Sequence, residues 1–151
     1  MTLFKKGLPA GRQGFTLIEL LVTIGVLAVV AAGVIATINP QQKIFQARDA
    51  QTQSGVGQIA TALQSWAAVN NGLYPAALAT LVTDGEMTVL PPAAPGAGGW
   101  VYSVSAGNAA AELHSNLQAT RNLVGGAPSF WCWRSASGLT VAVTAAFGCA
   151  P

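Results

Sequence analysis

The chain has 151 residues, 52% of them hydrophobic and only 8% charged, with a formal net charge of +2 at pH 7. Its cationic excess lies in residues 1–14, where Lys5, Lys6 and Arg12 occur without an acid; beyond them Lys43, Arg48, Arg121 and Arg134 face Glu19, Asp49, Asp84, Glu86 and Glu112. That balance leaves no overall basic surface for nucleic acid, and the length after Ile38 is enough for one modest core.

Residues 1–14 read as a short basic leader ending in Gly14. From Phe15 to Ile38 the chain is almost unbroken apolar sequence, with only Thr16, Glu19, Thr23 and Thr37 polar. As a helix this run is about 36 Å long, enough for a bilayer core of about 30 Å. The basic flank suits the cytoplasmic side of a membrane. Glu19 is the anomaly, because a charge near the centre of a span costs roughly 2.5–3.5 kcal/mol or more. A plain signal anchor has no use for it. An ordinary secretory signal would place a small-residue cleavage site after the apolar run. Thr37-Ile38-Asn39-Pro40 is a poor version of that site, and Ala31-Ala32-Gly33 is an alternative cut inside the run.

The ordered run Gly14-Phe15-Thr16-Leu17-Ile18-Glu19-Leu20-Leu21-Val22, with its carboxylate five residues after the glycine, resembles the type IV pilin and pseudopilin family. The resemblance covers the leader and the first helix, about a quarter of the chain. It implies that a prepilin peptidase, a membrane aspartyl protease, cuts after Gly14 and methylates the new amine of Phe15. It implies an assembly role for Glu19. The implied partners are copies of the chain and other pilins, an assembly ATPase and a platform membrane protein; no cofactor is implied. The implied location is a single pass in the cytoplasmic membrane before assembly and a cell-surface or periplasmic filament after it. The leader is a little long for the family and contains Pro9, away from the cut.

Asn39-Pro40 interrupts the helical run, since proline lacks an N–H donor and disfavours the helical region for the residue before it. In pilin-like proteins the equivalent glycine-to-proline stretch can melt during filament packing, which here points to Gly25, Gly33 and Pro40 as a helix break. From the residues alone, Pro40 equally suits a mild bend or the first turn of a new helix. Gln41–Asn71 reads as an amphipathic helix whose apolar stripe is Val56, Ile59, Ala60, Leu63, Trp66 and Ala67. Gly55 and Gly57 are misfits in it, marking a bend or close packing, and Asn70-Asn71-Gly72 is a stop signal.

The rest changes character. Leu73-Tyr74-Pro75 opens a loop, Ala77–Val82 suits a short helix, and residues 90–99 are rich in proline and glycine. Strand-like runs follow at Trp100–Val104, Ala111–Leu117, Ser129–Arg134 and Leu139–Thr144, with turn residues Gly107-Asn108, Gly125-Gly126 and Ser137-Gly138 between them. The expected fold class is α+β: a long N-terminal helix, half membrane-spanning and half amphipathic, packed on a small C-terminal antiparallel sheet. The expected divisions are a removable leader over 1–14, a membrane and assembly helix over 15–39, and a globular domain over 40–151, with its amphipathic helix over 40–71 and loop and sheet over 72–151. The layout from Tyr74-Pro75 to Trp100-Val101-Tyr102 also resembles, in a generic way, the pseudopilins of type II secretion.

Cys132 and Cys149 are the only cysteines, and an even pair in a small exported domain favours a disulfide, with two buried free thiols as the alternative. Many pilins likewise staple a C-terminal loop. His114, the only histidine, falls with Glu112 and Asn116 on one strand face, expected to be exposed and polar. Two cysteines and a distant histidine cannot complete a zinc set, and Asp84 with Glu86 falls short of the oxygens calcium needs. No nucleophile, base and orienting acid stand together, so no enzyme is expected. Trp131 and Trp133 share a strand face and are expected in the core, an exposed pair being the alternative. The favoured reading is a structural subunit of a type IV pilus-like filament. The alternatives are a pseudopilin of a type II secretion or DNA-uptake system, and a signal-anchored extracytoplasmic binding domain.

Overall fold

The computed structural model describes residues 14–119, 129–144 and 149, so the basic leader and Gly125-Gly126 lie outside the described residues. The chain divides into two compact units at Asn39/Pro40. The first holds α1 (Leu17–Ile38), which starts on Thr16 as N-cap and stops at Asn39, a C-cap in the left-handed region at φ 47°. In the second, α2 (Pro40–Val69) opens on proline at the first helical position, where the missing N–H leaves no bond unmade. Its C-terminus is closed by Asn71 and Gly72, both at positive φ, with the Gly72 N–H donating to the Ala67 carbonyl at 2.8 Å. The short helix α3 (Ala79–Thr83) follows.

The strands β1 (Val101–Val104), β2 (Ala111–Asn116), β3 (Ser129–Arg134) and β4 (Thr140–Thr144) form one antiparallel sheet in sequence order. Gly107 and Asn108, at φ 82° and 60°, turn β1 into β2. The fold is thus α+β, with an apolar N-terminal helix and a small four-stranded antiparallel sheet. The expected strands are present, shortened by a residue at one end for β1, β2 and β4.

The core lies between α2 and one face of the sheet. Val56, Ile59, Ala60, Leu63 and Ala67 are buried as the stripe requires, and Trp66 is half-buried. Against them pack Ala111, Leu113 and Trp133, with Leu81 of α3 and the half-buried Trp131, Tyr102 and Val104. Tyr74 meets Trp133 edge-on at 6.0 Å between ring centroids. Gly55 has a packing reason: a Cβ there would run into the Trp100 indole.

Three aromatic side chains bury rings and use their polar tips to hold loops. Trp100 Nε1 donates to the Pro91 carbonyl at 2.8 Å, Trp66 Nε1 to Asp84 Oδ2 at 2.8 Å, and the Tyr102 hydroxyl to the Pro75 carbonyl at 2.7 Å. Burial, reinforced by the neighbouring Tyr74 phenol, pushes the Tyr102 hydroxyl well above its ordinary value, so it stays a donor.

Asp49 is fully buried on the core side of α2. Its two carboxylate oxygens accept the backbone N–H groups of Gln118 at 2.6 Å and Ala119 at 2.9 Å, tying the exit of β2 to the helix. Charge-assisted bonds to buried donors are strong, and removing the acceptor strands those donors. Asp49→Ala should therefore lower unfolding stability by on the order of 3 kcal/mol, read from urea denaturation of the detergent-solubilised chain. Asp49→Asn should lose less, because its amide oxygen still accepts. A midpoint unchanged in both variants would refute this role.

The opposite sheet face departs from expectation. Glu112 is only 6% exposed, with the Ser103 hydroxyl donating to its Oε1 at 3.0 Å. His114 is half-buried, edge-on to Phe130 at 5.4 Å. This is not the exposed polar face that alternation suggests, since Cys132 on the same face is also buried and bonded to Cys149. That disulfide joins Cα atoms 6.1 Å apart and closes a short C-terminal loop. Cys132→Ser should cost about 3 kcal/mol on the chain-entropy model. Non-reducing peptide mapping should recover the two peptides linked; free thiols in protein from the cell surface would refute the link.

Candidate functional site

The first unit presents the site predicted around Gly14, Phe15 and Glu19. Its helix is long and apolar enough to cross a membrane, about 33 Å at 1.5 Å per residue. None of its residues is buried within the protein. Apolar residues cover every side of it: Phe15, Leu17, Ile18, Leu20, Leu21, Val22 and those that follow are exposed. Such a surface is stable only in lipid or against other apolar helices.

The polar groups of this helix separate into two kinds. The hydroxyls of Thr23 and Thr37 donate to the carbonyls of Leu20 and Val34, each at 2.8 Å, so they are satisfied inside the helix. Thr16 caps the N-terminus, its Oγ1 accepting the Glu19 backbone N–H at 3.3 Å. Thr16-Leu17-Ile18-Glu19 thereby has the spacing of a capping box, a signal carried by the sequence itself. Among the described residues the Glu19 carboxylate has no such internal partner. In an apolar medium it is the one side chain of this helix that needs a charge from outside it.

Glu19 lies in the first turn, where the helix's partial positive charge favours an acid. Phe15 precedes the helix, four residues before Glu19, and is exposed. Gly14 is exposed, with open space around the position of a Cβ. The helix passes through Gly25 and Gly33 without interruption, and Pro40 begins α2. Cys132 and Cys149 belong to the second unit. Among the described residues no group of three or more His, Cys, Asp or Glu could hold a metal.

Residues 9–35 match the family model of the prokaryotic N-terminal methylation motif. No curated protein and no solved structure matches the chain. The matched residues take in the Gly14/Phe15 junction, Glu19 and most of α1. With an apolar helix of membrane length behind that junction and an α+β unit after it, the chain carries the N-terminal methylation signature of type IV pilins and pseudopilins on a pilin-like fold.

Proposed function

We propose that the chain is a structural subunit of a type IV pilus-like filament, stored in the cytoplasmic membrane and assembled through α1. Prepilin peptidase removes residues 1–14 and methylates Phe15. An assembly ATPase and a platform membrane protein then drive the subunit out of the bilayer. Its apolar helix joins those of its copies in the filament core, and the α+β unit stays outside. Gly25 and Gly33 within α1, and Pro40 just after it, give the chain its points of adjustment during packing.

The observation that carries this reading is a membrane-length helix whose threonines are satisfied internally and whose Glu19 is not. A carboxylate retained there calls for a cation supplied by the assembly, and the methylated amine of Phe15 is one that every copy brings. Mass spectrometry of sheared surface filaments is the test. It should find this chain beginning at N-methylated Phe15. Recovery of the chain only as a secreted domain, with its N-terminus near Gly33 or Asn39, would overturn the proposal.

The second reading, a pseudopilin of a secretion or DNA-uptake machine, is favoured by the short helix and proline-rich connection leading into β1. Periplasmic assemblies containing the methylated chain, with no surface filament, would select it.

A further inference from the structure

Two charges of the second unit, Lys43 and Asp84, stand against the field of its own helix. Lys43 lies in the first turn of α2, which has no acid, and is exposed. Near the other end of the helix, Asp84 is held by the Trp66 indole and Glu86 follows two residues on. A helix N-terminus carries partial positive charge and a C-terminus partial negative charge, so neither Lys43 nor Asp84 is placed to serve the helix. Arg48 is engaged within the unit, over the Phe45 ring and donating to Gln118 Oε1. The side chains of Lys43 and Glu86 make no hydrogen bond or ion pair among the described residues.

Glu86 stands on the wall of an open groove of about 600 Å³ between α2 and the segment after α3, lined also by Thr61, Ser65, Met87 and Val89. Val89 is 71% exposed at its lip, and Ile44, next to Lys43, is 52% exposed. One end of the unit thus offers a cation beside an apolar side chain, and the groove offers an anion beside another. At 100° per residue Lys43, Ser54, Thr61 and Ser65 fall on one side of α2. Lys43 and Ser65 are about 33 Å apart along the axis, so a single molecule cannot bring its own Lys43 to its own groove.

We propose that the first turn of α2 from a second copy docks in this groove, with Lys43 against Glu86 and Ile44 against Val89. The two patches differ, so the contact is heterologous and repeats head to tail instead of closing a symmetric dimer. The contact rests on the filament reading above and adds to it an interface in the globular unit, separate from α1.

Charge exchange in the full-length chain tests this, in cells with no wild-type copy. Lys43→Glu and Glu86→Lys should each lower sheared filament yield about fivefold or more, because a small repulsion repeats at every subunit. Lys43→Glu combined with Glu86→Lys should restore at least about half of the wild-type yield, the opposite charges facing again. Membrane insertion, the N-methylated Phe15 terminus and the Cys132–Cys149 link should be unchanged in all three. Wild-type yield from Lys43→Glu alone would overturn the contact and leave the filament reading standing. Loss in both single variants without recovery in the double would also overturn it, placing Lys43 against another surface such as anionic headgroups. If the wild-type chain forms no filaments, the filament reading falls before any variant is made, and this contact falls with it.

Discussion

Glu19→Ala subunits should insert into the membrane and be cleaved, yet give filament yields at least about tenfold below wild type, a deficit equivalent to 1.4 kcal/mol per subunit. Insertion survives because an apolar residue suits the bilayer better than a carboxylate. On the proposed filament reading, assembly should fail because the cationic amine of an incoming Phe15 loses the carboxylate that would reward one axial offset between neighbouring helices. The helix itself should survive the change. Its N-cap bond runs from the Glu19 backbone N–H to Thr16 Oγ1, and alanine keeps that N–H. What the helix loses is the favourable acid in its first turn, about 0.3–1 kcal/mol. Thr16→Ala provides the contrast. It removes the cap, at a cost of about 1 kcal/mol, while leaving Glu19 in place, so it should reduce yield far less. Normal yields from Glu19→Ala in cells with no wild-type copy would remove the register role and favour a membrane-anchored domain.

Replacing Gly14 by a bulky residue should leave the precursor uncut in the membrane, with essentially no mature chain and no filament. On the proposed reading the obstacle would lie in the peptidase, because the chain itself has room for a side chain there. A Cβ at Gly14 meets nothing within 4 Å, and the backbone is not in the left-handed region. Gly14→Leu should therefore accumulate as a membrane-inserted precursor whose Cys132–Cys149 link still forms. Intact mass and N-terminal peptide mapping separate the outcomes. Wild type should start at N-methylated Phe15, and Gly14→Leu should retain residues 1–14. A mature terminus at Phe15 in the Gly14→Leu variant would mean that the glycine does not direct the cut.

The first helix and the outline of the second unit could be read without coordinates, because both depend on local periodicity. An apolar residue at nearly every position from Phe15 to Ile38 makes a helix with no polar side, whatever surrounds it. The stripe from Val56 to Ala67 chooses the face of α2, and Asn71-Gly72 and Gly107-Asn108 mark turns through their own backbone preferences. The cysteine pairing needed only an even count and an exported context. Other features depended on residues far apart in the chain. Asp49 reads as an ordinary polar position on α2 until β2 brings the N–H groups of Gln118 and Ala119 to its carboxylate. It does fall in register with Thr52 and Val56 on the buried face, which is the one local hint. Gly55 looks like a weakness in the helix until the Trp100 indole lies against it. Glu112 and His114 read as an exposed face by alternation, but alternation assumes that one side of a sheet is wet, and here Cys132 and Glu112 on that side are buried as well. Periodicity reports which side of an element is apolar. Which polar group is satisfied, and by what, is settled only when long-range packing removes water and each buried donor or acceptor has to find a partner.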